Sequence, residues 1–218
     1  MDRSSRNRLT EKLLPLFPGE SLFDRIARSV CKAGCLPRKE LFEAWEVARR
    51  VRRRFRGGRV IDLACGHGLL SYLLLLLDDS SPAAVGIDRR IPDSAVGLSA
   101  VLEESWPRIA GRVQLIQGEL ETLELERDDL VVSVHACGSL TDLVLERAMA
   151  VGARVAVLPC CHDLHKADLG GLDGWLDGPL AMDIRRCERL RAHGYRLVNQ
   201  LIPADITPKN RLILGARD

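Results

Sequence analysis

Aromatic side chains are scarce in this chain of 218 residues: two Tyr, four Phe and three Trp, 4% of the total. So few rings argue against a stacking platform for single-stranded nucleic acid. Net charge is small too, +2 from 32 basic and 30 acidic residues, so no whole-molecule field demands a polyanionic partner. The longest leucine run, YLLLLL, stops at Asp78-Asp79, far short of a membrane span. The opening residues, MDRSSRNRLTEKLL, hold no apolar h-region, and no signal peptide is expected. Seven cysteines is an odd number, which without a secretory signal reads as reduced thiols in a cytoplasm. No internal repeat or low-complexity tract occurs.

What is present suits one domain with a small appendage. Residues 1–38 read as short helices broken by Pro15, Pro18-Gly19, Gly34 and Pro37. A longer helix is expected over about 39–56, with Ala44, Val47, Ala48, Val51 and Phe55 on one stripe, stopped by Gly57-Gly58. From there the rhythm changes. RVIDLA, AAVGID, RVQLIQG, LVVSVHA and RVAVLPC read as strands, with helices after the first, second and fourth. Strands that are almost wholly apolar imply a parallel sheet covered on both faces. The end differs: YRLVNQLIP and NRLILGAR are joined only by ADITPK, too short for a crossover, so they should form an antiparallel hairpin. The expected fold is α/β and Rossmann-like. Residues 1–38 form an N-terminal helical segment over the site mouth, and 39–218 form the main domain.

Glycines mark the first strand end, in Asp62-Leu63-Ala64-Cys65-Gly66-His67-Gly68-Leu69. Small residues there let the backbone approach a ligand, and the following helix offers its positive end. A dinucleotide fingerprint would place a third glycine where Ser71 stands, which weakens that reading. Asp88, followed by Arg89, ends the second strand, where a carboxylate can accept ribose hydroxyls. Gly118 and Glu119 follow the third. All lie at the carboxyl edge, where open α/β sheets bind ligands.

The ends of strands four and five carry His135, Cys137, Cys160, Cys161 and His162. Here the chain resembles a class I S-adenosylmethionine-dependent methyltransferase family with a His-x-Cys-Gly-x-x-x-Asp stretch and a Cys-Cys-His. That family includes acceptor-stem tRNA 2′-O-methyltransferases. The matching residues are His135-Ala136-Cys137-Gly138 with Asp142, and Cys160-Cys161-His162. The resemblance covers about residues 58–165. It implies S-adenosylmethionine held by Asp62, Ala64, Cys65, Gly66, His67, Gly68, Leu69, Asp88, Arg89, Gly118, Glu119 and His135. Two departures weaken tRNA as the acceptor: the tRNA enzymes' zinc-finger segments have no counterpart here, and Asp163 stands where they have a second His.

Three roles compete for the Cys/His cluster. It can be a substrate wall with His135 or His162 as general base, since imidazole titrates near neutrality. Its cysteines can be buried packing residues. Two His and three Cys are also a zinc-ligand set by type, but neighbouring Cys160 and Cys161 would point apart on a strand, so no metal is expected. The catalytic candidates are His135, His162, Asp142 and Cys160. Asp142 also suits the first turn of a helix.

RRVRRRFRGGR, Arg49 to Arg59, holds seven arginines and no acid. It is either a solvated helix C-terminus or a phosphate-contacting surface for RNA. The expectation is a cytoplasmic methyltransferase acting on RNA, a protein or a small molecule, with no membrane partner. The rivals are a nicotinamide-dependent oxidoreductase and a non-catalytic RNA- or protein-binding module on the same scaffold.

Overall fold

The computed structural model describes residues 1–164 and 168–217. Its centre is a seven-stranded sheet ordered β3-β2-β1-β4-β5-β7-β6. The strands are β1 (Val60–Leu63), β2 (Ala84–Asp88), β3 (Val113–Gln117), β4 (Leu130–Ser133), β5 (Arg154–Val157), β6 (Tyr195–Leu201) and β7 (Arg211–Arg217). Strands β1 to β5 are parallel. The hairpin β6–β7 is antiparallel, and β7 inserts between β5 and β6. The α-helices among the described residues are α1 (Leu22–Ala33), α2 (Arg38–Arg54), α3 (Leu69–Leu77), α4 (Ser94–Ser105), α5 (Ser139–Val151) and α6 (Gly178–Ala192). None is long and apolar enough to cross a membrane.

Alternation along the strands splits the core into two layers. Val60, Leu130, Val132, Leu212 and Leu214 face the layer of α1–α4. Ile61, Val131 and Ile213 face α5 and α6. Leu9 and Phe17 of the N-terminal segment sit in the first layer with Ile26 and Val30 of α1, fully or almost fully buried. Ser21 caps α1, its hydroxyl accepting from the Asp24 amide at 3.1 Å. Gly34, in the left-handed region, ends it.

The structure shortens two expected strands. β4 ends at Ser133 rather than Ala136, and β5 at Val157 rather than Cys160. The last ladder contact joins the Leu158 amide to the Ser133 carbonyl at 3.0 Å. Pro159 follows and has no amide to continue it. Val134, Ala136 and Leu158 remain buried without being in a strand, so apolarity ran past the hydrogen-bonded sheet.

Candidate functional site

The β1–α3 turn is built by backbone conformation. Gly66 and Gly68 have φ of +53° and +75°, and Ala64, at +61°, is the one non-glycine with positive φ among the described residues. An L-residue there carries a strain of about 1–2 kcal/mol. The Ala64 and Cys65 amides donate to the Ile87 carbonyl at 2.9 and 3.2 Å, which pins the turn against β2. Gly68 caps α3 with Leu115 packed against it, where a Cβ would come within 2.5 Å of the leucine side chain. Gly66 is the opposite case: a Cβ there would meet nothing within 4 Å.

That open space belongs to a cavity of about 210 Å3. Of the expected residues it collects Asp62, Ala64, Cys65, Gly66, His67, Leu69, Asp88 and His135. Asp88 accepts from the Gly66 amide at 3.0 Å and from the Arg90 amide at 3.2 Å. Asp62 is buried, with the Ser71 hydroxyl donating to it at 3.0 Å. Burial pushes its carboxyl up to about 7, against the Ser71 hydrogen bonds and helped by nearby Asp88. Burial likewise raises the Cys65 thiol and lowers the His67 imidazole, which lies 3.0 Å from the Ser94 hydroxyl. Arg89 and Glu119 do not line the cavity. They pair with each other at 2.8 Å, both exposed, while the Gly118 amide is spent on the Asp88 carbonyl.

Sequence reasoning missed the opposite wall, Leu36, Glu40 and Ala44 of the α2 entry, and also Leu70 and Val134. One signal was available: Glu40 lies four residues before Ala44, an acid on an otherwise apolar stripe. Glu40, Asp62 and Asp88 give the cavity three carboxylates, and no Lys or Arg is among its lining residues.

A second hollow of about 500 Å3 adjoins the first, sharing Glu40 and His135. Arg6, Lys39, Lys209, Cys160 and Cys161 also line it. Here the expectation about the thiols is corrected. Cys160 and Cys161 lie beyond β5 in irregular backbone, so they do not point apart. Together with Cys137 their sulfurs all lie within 4.8 Å of one another, and Cys137 Sγ is 2.9 Å from Cys160 Sγ. The packing role fails for two of them as well, because Cys137 and Cys161 are exposed.

The structure does not bring His162 or Asp142 into this hollow. The His162 ring is buried, its Nε2 3.0 Å from Asp183 Oδ1, and its Nδ1 has no partner among the described residues. Asp183 also accepts from Arg186 at 3.1 Å and Arg211 at 2.7 Å. Burial alone would raise the Asp183 carboxyl, but the bonds from His162 and Arg211 outweigh it and hold the group below its usual range. Asp142 takes a two-pronged contact from Arg186 at 2.9 and 3.1 Å, and Arg186 also donates to the Gly138 carbonyl at 3.2 Å. Through Arg186, Asp142 is tied to the Gly138 carbonyl of the β4 loop.

The arginine stretch starts in the second half of α2, and its helical part lies about 14 to 21 Å along the axis from Glu40 at 1.5 Å per residue. Most of it is internally engaged. Arg49 and Arg50 meet Glu46, Arg52 and Arg56 meet Asp78, and Arg59 grips Asp129. Arg53 and Arg54 are exposed.

Residues 40–167 match a family model described as a methyltransferase domain. No curated protein matches the chain. Among solved structures, an O-methyltransferase family protein from Burkholderia thailandensis is similar at 16% identity and TM-score 0.55, over 96% of this chain and 63% of that one. The chain thus spans under two thirds of that relative's length. Magnesium protoporphyrin IX methyltransferase from Synechocystis, with bound S-adenosylmethionine, is 14% identical at TM-score 0.52, over 93% and 88%. The B. subtilis tRNA methyltransferase TrmK is 18% identical at TM-score 0.51, over 78% and 64%. At these identities the likeness concerns the fold.

Proposed function

The chain belongs to the methyltransferase-domain family that its residues 40–167 match, and on that premise we propose that it transfers a methyl group from S-adenosylmethionine to an anionic acceptor, RNA foremost. The observation that carries the reading is the charge of the first cavity. Three carboxylates, with no Lys or Arg among its lining, suit a ligand bearing a sulfonium and an ammonium group. The pyrophosphate of a nicotinamide dinucleotide would be repelled there. Gly66 leaves room for close approach, and Asp88 keeps lone pairs for ribose hydroxyls.

The cofactor supplies a methyl group that is already activated. The protein's part is alignment, plus removal of a proton from the acceptor. The two hollows share Glu40 and His135, and of these we assign the proton to the exposed imidazole of His135. Arg6 and Lys209 at the second hollow favour an acceptor with phosphate groups, while Lys39 there is paired with Glu43 at 3.1 Å. Arg49–Arg59 contributes little to this reading, being mostly paired and remote from both hollows.

Calorimetry with S-adenosylhomocysteine and NAD, then labelled cofactor with RNA, protein and metabolite fractions, tests it. Expected are binding of the first ligand only and label in RNA. Binding of RNA without label transfer would favour a non-catalytic module, and preference for NAD would overturn the cofactor. His135→Ala should lose about 10²–10⁴-fold in turnover with cofactor affinity kept. Unchanged turnover would remove His135 as base.

A further inference from the structure

We propose that Cys137, Cys160 and Cys161 form a three-thiolate zinc site beside the second hollow, whose wall includes Cys160 and Cys161. The cysteines of this chain divide by environment. Cys31, Cys35 and Cys65 are buried and behave as small packing residues. Cys137 and Cys161 are exposed and Cys160 is half-buried, yet these three converge from two separate loops. Exposed thiols that only filled space would gain little from burial and would be open to oxidation.

The geometry is close to what zinc needs. Zinc–sulfur bonds of about 2.3 Å in a tetrahedron set the sulfurs about 3.8 Å apart. All three sulfurs here fall within 4.8 Å of one another, so changes of about 1 Å in the sulfur separations complete the arrangement. The cluster contains no carboxylate, and an all-thiolate set selects a soft ion such as zinc over magnesium or calcium.

The supporting backbone is preorganised. Gly138, at φ +59° and ψ −126°, turns the chain directly after Cys137. Its amide donates to the Cys161 carbonyl at 3.0 Å, tying the two loops together. Its carbonyl is held by buried Arg186. Helix α5 starts at Ser139, directly after Gly138, so Cys137 sits at the helix entry with its position fixed by the turn. Lys209 and Arg6 line the same hollow and offer positive charge to the net −1 of a zinc tris-thiolate, while Lys39 there is paired with Glu43 at 3.1 Å. On binding, three sulfur–zinc bonds form and the displaced thiol protons pass to solvent. Three protein ligands leave the fourth position to water or an incoming acceptor atom, the arrangement of an open rather than a closed zinc site. The inference does not depend on the methyltransferase reading, since its readout is metal content.

The full chain, purified under reductant without chelator, is assayed for metal and titrated with zinc and with cobalt(II). Expected are one zinc per chain and a thiolate-to-cobalt charge-transfer band in the near ultraviolet. Cys137→Ser and Cys161→Ser, at exposed positions, should each weaken zinc by more than the roughly 10–100-fold that loss of an outer partner costs. Cys187→Ser should bind as the parent does. If Cys160→Ser does not fold, alkylation of the unaltered protein replaces it: zinc should shield Cys137 and Cys161, and chelator should restore their reactivity. Substoichiometric zinc with no cobalt–thiolate band would overturn the site. So would an undiminished affinity in Cys137→Ser, or a Cys137–Cys160 disulfide persisting under reductant.

Discussion

The β1–β2 end and the β4–β5 end lie side by side on the same sheet edge but are made differently. At β1–β2 the backbone does the work. Positive-φ residues at 64, 66 and 68 shape the turn, and Asp88 is fixed by two amides. At β4–β5 the strands have already stopped, and side chains from α6 hold the loops. Arg186 bridges Asp142, Asp183 and the Gly138 carbonyl, and His162 leans on Asp183. A site written into backbone turns is local in sequence. One held by buried ion pairs depends on residues about 45 positions away, as Asp142 and Arg186 are 44 apart.

That contrast is exposed most strongly by Arg186→Ala. The side chain is 2% exposed, and its loss empties a large buried volume and takes one partner from each of two carboxylates, Asp142 and the buried Asp183, which keep Arg189 and Arg211. Stability should fall by about 3–5 kcal/mol in chemical denaturation, with cofactor affinity of the folded fraction unchanged. A large loss of cofactor affinity in that fraction would show that the two ends are one unit.

Next in size is a pH effect belonging to the β1–β2 end alone. Asp62 has a folded value of about 7, above its ordinary 3.8. A raised carboxyl binds its proton more tightly folded than unfolded, so stability is lost as pH climbs from about 4 to about 7. A cationic ligand favours the ionised form. Cofactor affinity should therefore rise up to about tenfold per pH unit approaching 7 and level off above it. Asp62→Asn should be more stable than the parent at pH 8 and bind with no such slope. A parallel slope in that variant would assign the proton elsewhere.

Gly66→Ala gives a smaller change. The added methyl meets no protein atom, so stability should drop by only about 1–2 kcal/mol from the positive φ. Cofactor affinity should fall further than stability accounts for. Equal affinity in parent and variant would move the ligand away from this turn. Smallest of all, Arg53→Gln with Arg54→Gln should shift stability by no more than about 0.5 kcal/mol. It should also leave the salt slope of RNA binding in place, whereas a slope lowered by about 0.9 per arginine would mark both as phosphate contacts.

Much of the architecture was legible because strands buried on both faces read as unbroken apolar runs, and the six-residue link forced a hairpin. The turn at 62–69 was legible for a related reason, since glycine spacing reports backbone conformation directly. Strand ends were not: Val134, Ala136 and Leu158 are as apolar as their neighbours, and only Pro159 hinted that the ladder was over. That misreading set Cys160 and Cys161 on a strand and hid their convergence with Cys137. Partners from distant elements were equally hidden. Nothing near Asp142 or His162 in sequence announces Arg186 and Asp183, and Glu119 gave no sign of its pairing with Arg89.

The docking of the N-terminal segment has a thermodynamic consequence. Its backbone is stitched to the α2 entry, the Leu9 amide to the Leu36 carbonyl at 2.8 Å and the Arg38 amide to the Asn7 carbonyl at 3.0 Å. Leu36 and Glu40 are walls of the first cavity, and Ser4 and Arg6 are walls of the second. A molecule whose front end has frayed therefore lacks part of both walls, and only the stitched form offers a complete site. Occupancy and order are linked: a ligand at a hundred times its dissociation constant adds about 2.7 kcal/mol to the clasp between residues 7–9 and 36–38.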